Sequence, residues 1–336
     1  MDQTPLFQGG FYMCTAITYK TDANYFGRNF DYDISYGEKV VVTPRNFQFK
    51  FRKEGILKTH YAFIGVAAVI DNYPLYYDAT NEKGLSIAGL NFPKNAFYNE
   101  FIEGKINISP FELIPWLLGS FATVEEARKS LENLNLVNIN FNNQLPLSPL
   151  HWMISDKNEC IVVESVKDGL KIYDNPIGVM TNSPTFDYQM FNLNNYHNIS
   201  TKDPKNLFSE KVDMNIYSRG MGGIGMPGDL SSMSRFVKAA FTKLNSVAGH
   251  SEDESVSQFF HILGSVEQQN GLCDLGNGKY EKTIYSSCCN IDEGIYYYKT
   301  YNNSQINAVD MNKENLDSSN LCVYPLINEQ NINLVN

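Results

Sequence analysis

A short strand–turn–strand segment near the amino terminus constrains this chain more than any other feature. Residues 13–20 alternate in side-chain character in the way that predicts a β-strand. The polar residues 21–24 are a turn signal, and a second short strand runs on through Arg28 to Asp31. If the two strands pair as a hairpin, both charged side chains return to the neighbourhood of Cys14. Because a guanidinium beside a thiol lowers the pKa of that thiol, the segment predicts a nucleophile site.

Cys14 has two interpretations. As a buried residue at the start of a strand, it is a small apolar side chain without chemistry. As the first residue of the mature chain, it carries a nucleophile and a base together, because its α-amine titrates near ~8. The second interpretation requires the removal of residues 1–13, since an amide nitrogen cannot act as a base. Three origins of this extension are open: a propeptide, an upstream start codon used in place of Met13, or a cloning remnant.

Composition and charge exclude several classes of function. The formal net charge of −10 argues against binding to nucleic acid or to an anionic membrane surface. No run approaches the roughly 18 apolar residues of a spanning helix, and the first residues lack the basic and apolar regions of a secretory signal. The six cysteines have no metal-binding spacing, so reduced thiols are expected. We therefore predict a cytoplasmic protein with no nucleic-acid or membrane partner.

The order of the predicted elements favours an α+β fold. Strand patterns come in groups and helix patterns come in groups, which indicates mainly antiparallel stacked sheets flanked by helices rather than a βαβ repeat. Ser109 with Glu112, and Thr123 with Glu126, are the capping signatures of two helices. No linker divides the chain, so we expect one domain over residues 14–336. Other patterns predict strands over 39–43, 61–70, 85–90, 150–155, 160–164, 170–173, 178–181, 295–301 and 304–310, and helices over 188–196, 232–244 and 256–263.

Ten short blocks carry a resemblance to a known family. In chain order they are Cys14-Thr15-Ala16, Gly27-Arg28-Asn29-Phe30-Asp31, Thr43-Pro44-Arg45-Asn46-Phe47, Asn81-Glu82-Lys83-Gly84-Leu85, Gly89-Leu90-Asn91-Phe92-Pro93, His151-Trp152-Met153-Ile154-Ser155-Asp156, Thr181-Asn182-Ser183-Pro184-Thr185-Phe186-Asp187, Met226-Pro227-Gly228-Asp229, Ser234-Arg235-Phe236 and Gly294-Ile295-Tyr296-Tyr297-Tyr298. Together and in this order they resemble the choloylglycine hydrolase family, the N-terminal-nucleophile amide hydrolases that include bile salt hydrolases and penicillin V acylases.

The resemblance implies a fold, a reaction and an assembly. The fold is the four-layer αββα sandwich of N-terminal-nucleophile hydrolases. The reaction is hydrolysis of the C–N amide bond of glycine- or taurine-conjugated bile salts through a thioester on Cys14, without a metal or a cofactor. The assembly is a homotetramer. In such an enzyme Arg28 supports the thiolate and Asp31 holds the α-amine.

Three further catalytic positions follow from the same resemblance. Taken alone, Asn91 is a turn residue at the end of a strand, whereas the family block makes its amide a donor to the oxyanion. Asn182 matches a second polar position that contacts the cysteine and the oxyanion region. Arg235 taken alone is a surface or capping arginine, and the resemblance makes it an active-site arginine near the nucleophile.

Five residues are candidates for substrate binding. Phe30, Ile70, Tyr76 and Leu145 would form an apolar pocket, and their alternative role is plain core or loop packing. Asn81 is the fifth candidate, and a structural turn is its alternative.

Other functions remain open on the residues alone. Penicillin V acylase uses the same mechanism on a smaller acyl group, but such enzymes tend to carry a tyrosine in the block that here contains Asn91. Residues 220–225 match the G-x-G-x-x-G pattern, yet they lack the flanking strand and helix of a dinucleotide site. No histidine lies in a papain-like signature, which argues against a Cys–His pair. A non-catalytic binding protein, with Cys14 blocked by residues 1–13, is the alternative from another class.

Overall fold

The structure is a computed structural model that describes residues 12–336. Residues 1–11, which make up most of the predicted extension, lie outside the described residues. The strands are β1 (Cys14–Lys20), β2 (Asn24–Tyr32), β3 (Lys39–Thr43), β4 (Phe49–Phe51), β5 (Gly55–Leu57), β6 (Phe63–Ile70), β7 (Tyr73–Asn81), β8 (Ser86–Asn91), β9 (Ile106–Ile108), β10 (Leu134–Leu136), β11 (Leu150–Ser155), β12 (Cys160–Val166), β13 (Gly169–Asp174), β14 (Val179–Met180), β15 (Cys273–Gly276), β16 (Lys279–Asn290), β17 (Ile295–Thr300), β18 (Asn303–Asp310) and β19 (Cys322–Pro325). The α-helices are α1 (Leu113–Ser120), α2 (Val124–Leu131), α3 (Phe186–Asn192), α4 (Ser232–Asn245) and α5 (Glu252–Gly264).

Two large sheets carry the fold. The first has the strand order β14-β1-β2-β16-β17-β18, with β15 attached to β16, and the second has the order β13-β12-β11-β8-β7-β6-β3-β19. All pairings within both sheets are antiparallel. Helices α4 and α5 pack on the first sheet, α1 packs on the second, and β1 contacts β8 across the space between the sheets. The predicted four-layer αββα sandwich is therefore confirmed.

Two inner strands of the first sheet, β1 and β2, are buried on both faces. In β1 the side chains are buried or half-buried up to the exposed Lys20, and in β2 only Asn24 is not fully buried. One face packs on helices α4 and α5, and the other packs on the second sheet. The alternating side chains therefore point into two buried layers, and neither set points to solvent. This position lets β1 and β2 hold polar side chains away from water.

The helix predictions are confirmed with small shifts of their ends, whereas two long strands are not predicted. The capping residue Ser109 precedes a 3₁₀ turn that leads into α1. Thr123 directly precedes α2. Strands β7 and β16 have no counterpart among the sequence patterns. Pro74 lies near the start of β7, and β16 mixes charged, hydroxyl and thiol side chains, so neither shows the apolar alternation of a half-buried strand. Among the described residues, no helix is long and apolar enough to cross a membrane.

Gly27 lies where β2 and β16 approach closely. A Cβ built on this residue would lie 2.0 Å from the carbonyl oxygen of Ser287 and 2.9 Å from the Cα of Cys288. Gly27→Ala is therefore expected to lower the free energy of unfolding by about 3 kcal/mol, because the two central strands would have to separate. Denaturant unfolding measures this loss. Gly264→Ala is the control, since a Cβ there meets nothing within 4 Å, and equal stability of the two variants would contradict the prediction.

Candidate active site

The first hairpin and its neighbours bring the predicted residues together. Cys14 pairs with Phe30 across β1 and β2, which confirms the predicted hairpin and places Asp31 just beyond the nucleophile. On the other side Ala16 pairs with Met180 of β14. Since the strands are antiparallel, this register carries Asn182 to a position opposite Cys14. Arg235, Arg28 and Asp31 are all fully buried.

Arg235 joins the nucleophile to Asn182. One terminal nitrogen of its guanidinium donates to the Cys14 carbonyl and to the Thr15 hydroxyl, both at 2.6 Å. The other terminal nitrogen donates to Asn182 Oδ1 at 2.7 Å, and the same oxygen accepts the Cys14 N–H at 2.8 Å. Arg235 lies in the first turn of α4, so this helix fixes the guanidinium over the end of β1. The surface role that the residue has on sequence alone is wrong.

The two asparagines form a short chain of amides that ends at the residue before Met13. Asn182 Nδ2 donates to the Asn91 carbonyl at 2.7 Å. Asn91 Nδ2 donates in turn to the Tyr12 carbonyl at 3.2 Å. Asn91 comes from β8 of the second sheet, so this chain of hydrogen bonds joins the ends of the two sheets. A carbonyl therefore already lies against the Asn91 amide.

Arg28 is held from the second sheet. Its guanidinium donates to the carbonyl oxygens of Tyr77 and Gly89, at 3.1 and 2.6 Å, and its Nη2 has no hydrogen-bond partner among the described residues. Its positive charge acts to lower the pKa of Cys14. A buried guanidinium that is not fully paired supplies a strong local field, because little water screens it.

The Cys14 thiol differs from the prediction in its acidity. Burial raises the pKa of the Cys14 thiol above its ordinary value, and this effect outweighs the opposing field of Arg28 and a hydrogen bond from the Asp31 backbone. The depressed pKa expected from the neighbouring guanidinium is therefore wrong for the chain with Met13 in place. Desolvation wins because the side chain is only 3% exposed.

Asp31 lies beside a second buried carboxyl group that sequence reasoning missed. Asp31 Oδ1 accepts the Thr283 hydroxyl at 2.6 Å, while Oδ2 is buried without a hydrogen-bond partner among the described residues. Burial raises the pKa of Asp31 to about 6 against the opposing charges of Arg235 and Arg28. Glu281 of β16 accepts the Met13 N–H. Glu281 and Thr283 are two residues apart on β16, so their side chains point to the same face of that strand. This spacing is the sequence signal for Glu281, but the sequence patterns do not predict β16.

The pKa of Glu281 gives a pH-dependent stability. Burial, followed by the charge of Asp31, raises this pKa to about 8. The folded chain then keeps a proton that the unfolded chain loses, so the free energy of unfolding falls as pH rises from about 4.5 to about 8. Glu281→Gln should remove a pH-dependent loss on the order of 2–4 kcal/mol. Denaturant unfolding of the chain with Met13, at the two ends of that range, measures it.

The control for this prediction is Glu132→Gln, which changes an exposed carboxyl at the end of α2. It should leave the slope of stability against pH as it is in the unmodified chain. A Glu281→Gln variant with the same slope as the unmodified chain would contradict the assignment of the proton to Glu281.

An apolar cleft of about 540 Å³ opens beside Cys14. Its walls include four of the predicted binding residues, namely Phe30, Ile70, Tyr76 and Leu145. They also include residues that the sequence did not indicate, among them Tyr12, Tyr32, Tyr77, Phe111, Ile114 and Phe141. The Tyr12 ring stacks on Tyr32 with a centroid distance of 3.5 Å. The residue two positions before Cys14 thus forms part of the cleft wall.

Asn81 is not brought to this cleft. Its amide nitrogen donates to the carbonyls of Leu118 and Phe121, both at 2.8 Å. Its Oδ1 accepts the backbone N–H groups of Lys83 and Leu85, both at 3.0 Å. The predicted contact with substrate is therefore wrong, and Asn81 is the structural turn residue of its alternative interpretation.

The glycine-rich motif and the cysteines do not form a cofactor or metal site among the described residues. Residues 220–225 lie in an irregular segment with a single 3₁₀ turn over Met221–Gly223, so no strand precedes the glycines. Among the described residues, no group of His, Cys, Asp and Glu is arranged to hold a metal ion, and all six cysteines are free thiols.

Comparison with known proteins gives a consistent set of similarities. The sequence model of the family described as linear amide C–N hydrolases, choloylglycine hydrolase family, matches residues 14–324. The bile salt hydrolase/transferase of Lactiplantibacillus plantarum is 65% identical over 324 residues, covering 96% of this chain and 100% of that protein. A crystal structure of a mutant conjugated bile acid hydrolase from Clostridium perfringens has a TM-score of 0.89 at 39% identity, covering 96% of this chain and 100% of that one. The penicillin V acylase of Agrobacterium tumefaciens shares the fold, with a TM-score of 0.72 at 20% identity, covering 93% of this chain and 90% of that one.

Proposed function

Because this chain belongs to the choloylglycine hydrolase family of linear amide C–N hydrolases, we propose that it hydrolyses the amide bond between a bile acid and glycine or taurine. The similarity that carries this proposal is the 65% identity to a bile salt hydrolase/transferase along that protein's whole length. The penicillin V acylase structure supports the fold alone, at 20% identity. The apolar cleft beside Cys14 suits a steroid acyl group, since its walls are mostly aromatic and aliphatic side chains.

The proposed mechanism starts from a free amino group on Cys14. The amine takes the thiol proton, and the thiolate attacks the amide carbonyl to form a tetrahedral oxyanion. Collapse of this intermediate breaks the C–N bond, the leaving amine takes the proton, and the acyl group stays on sulfur as a thioester. Water then attacks the thioester, which releases the bile acid and restores the thiol. Every proton transfer in this sequence can be made by the α-amine, so no metal or cofactor is required.

The surrounding residues are assigned to this mechanism by their positions. Asn91 and Asn182 would donate to the oxyanion, and the carbonyl that Asn91 already binds supports this role for its amide. Arg28 and Arg235 supply positive charge around the thiolate. The buried Asp31 Oδ2 can accept from the α-ammonium group that forms when Cys14 is the first residue.

We propose that residues 1–13 are absent from the active enzyme and that residues 14–336 form a single domain. The family match that begins at Cys14 supports this assignment. An alternative to processing is that translation starts at Met13, so that residues 1–12 are not part of the protein. Ordinary removal of that methionine would then expose Cys14.

We further propose a cytoplasmic homotetramer. The segment between α3 and α4 exposes several large apolar side chains, of which Leu207, Phe208 and Tyr217 are each more than four-fifths exposed. Exposed apolar side chains clustered in one segment mark surfaces that bind another protein. Light scattering of the purified protein tests the assembly.

The experiment that tests the function is amine release from glycocholate, taurocholate and penicillin V, measured side by side. The protein must first be shown to begin at Cys14. Faster release from either bile salt supports the proposal. Faster release from penicillin V would keep the nucleophile and overturn the substrate, and it would show that Asn91 is a poor guide to the acyl group.

A further inference from the structure

A buried pair of side chains lies behind the two asparagines. His151 on β11 and Glu164 on β12 face each other across the strands, with His151 Nδ1 3.0 Å from Glu164 Oε1. The two side chains are 2% and 0% exposed. Neither belongs to the proposed catalytic residues, yet burial of such a pair is costly unless its hydrogen bonds are well made.

The pair holds both ends of the loop that carries Asn182. His151 Nε2 lies 2.9 Å from the Thr181 carbonyl oxygen. A carbonyl oxygen only accepts, so Nε2 carries a hydrogen and the ring orientation is fixed. Glu164 Oε1 also accepts the Phe186 N–H at 3.1 Å. The pair therefore binds the residue before Asn182 and the residue that begins α3.

The pair also contacts the chain next to Asn91. The His151 ring stacks on Phe92 with a centroid distance of 4.1 Å and an interplanar angle of 5°. In the sheet, His151 is paired with Leu90. His151 therefore contacts or pairs with the residues on both sides of Asn91. It also binds Thr181, the residue before Asn182.

We propose that the His151–Glu164 pair is a positioning pair that sets the two asparagine amides at the oxyanion. This inference rests on the proposed function. Both nitrogens of His151 are occupied by Thr181 and Glu164, so the histidine does not act as the base for Cys14. A positioning role has a physical reason, because an oxyanion donor acts only within about 2.7–3.1 Å of the developing charge. A small shift of either strand end would therefore weaken the transition state more than substrate binding.

His151→Gln tests this role through three measurements on protein that begins at Cys14. With a bile salt as substrate, kcat should fall about 10- to 100-fold, less than the ~10³-fold that loss of an oxyanion donor can cost. KM should stay close to its original value. The rate of Cys14 alkylation by iodoacetamide should change far less than kcat, because alkylation forms no oxyanion. A general loss of structure would instead lower kcat, raise KM and change the alkylation rate as well, because it would disturb the cleft and expose the buried thiol.

His60→Gln is the matched control. His60 is also buried, and its two ring nitrogens lie 2.7 Å from the carbonyl oxygens of Tyr61 and Phe47. Both ring nitrogens of His60 are engaged, as in His151, but their partners are neither the two asparagines nor the residues next to them. This variant should lower the melting temperature and leave kcat unchanged in the protein that remains folded.

Glu164→Gln gives a second test if His151→Gln does not fold. The glutamine can still accept the Phe186 N–H, but it cannot share a proton with the imidazole in the same way. We expect the same separation of kcat from alkylation, with a smaller fall in kcat. The proposal is overturned if either folded variant keeps the original kcat, or if His60→Gln shows the same separation. An unmodified enzyme that releases no amine from bile salts would instead overturn the proposed function.

Discussion

Cys14→Ser is expected to reduce amine release from a bile salt by about 10⁴-fold or more, since it removes the nucleophile of a covalent mechanism. The exchange keeps the size of the side chain, so the buried hairpin should remain intact. A serine hydroxyl is less acidic and less nucleophilic than a cysteine thiol, and the site around position 14 is arranged for a thiolate. If the preceding residues are removed by the chain itself, their removal should slow as well.

The loss has to be measured together with stability. Amine release and thermal unfolding of the Cys14→Ser protein separate a chemical effect from a folding effect. Cys322→Ser is the matched control, because this half-buried thiol lies on β19 at the edge of the second sheet. It should keep its activity. A Cys14→Ser enzyme with the original rate would remove the proposed mechanism.

A chain that retains Tyr12 and Met13 is expected to be at least about 100-fold less active than one that begins at Cys14, because general-base catalysis alone is worth about 10²–10⁴-fold. With Met13 in place the Cys14 nitrogen is an amide whose N–H donates to Asn182. It has no basic lone pair. In addition, the Tyr12 ring stacks on Tyr32 at the cleft wall, and the Tyr12 carbonyl accepts a hydrogen bond from the Asn91 amide.

A cleavable amino-terminal tag provides both forms from one preparation. Cleavage directly before Cys14 gives the free amine, while the uncleaved portion retains the preceding residues, and intact mass verifies each. Both forms should unfold at similar temperatures, since the hairpin is common to them. Equal turnover by the two forms would show that the α-amine is not the base.

The sequence predicts the parts of this site that depend on local order. The β1–β2 hairpin follows from alternation and a turn within twenty residues, so Arg28 and Asp31 could be placed beside Cys14. The placement of Arg235 and Asn182 required the family resemblance, because their partners lie far away in the chain. Arg235, which looks like a surface residue on its own helix, is buried against β1.

What could not be predicted depends on packing between distant segments. Glu281 and Thr283 reach Asp31 only because β16 pairs with β2, and nothing local marks that pairing. The prediction of a lowered Cys14 pKa is wrong for a similar reason. A sequence shows a neighbouring guanidinium, but it does not show the loss of water around the thiol. Asn81 matched its block in type, yet its side chain ties the turn that follows it to the end of α1.

Much of the acyl-binding wall of the cleft comes from a different part of the chain from the thiol, although Phe30 and Tyr32 lie on the β1–β2 hairpin itself. Cys14 and Arg28 belong to the first sheet, whereas Ile70, Tyr76 and Leu145 come from the second sheet and a loop before β11. Exchange of the loop over residues 137–149 would reshape the acyl wall without touching the hairpin that bears the thiol. The architecture is thus modular, and a single nucleophile can be retained while selection or design diversifies the acids that it releases.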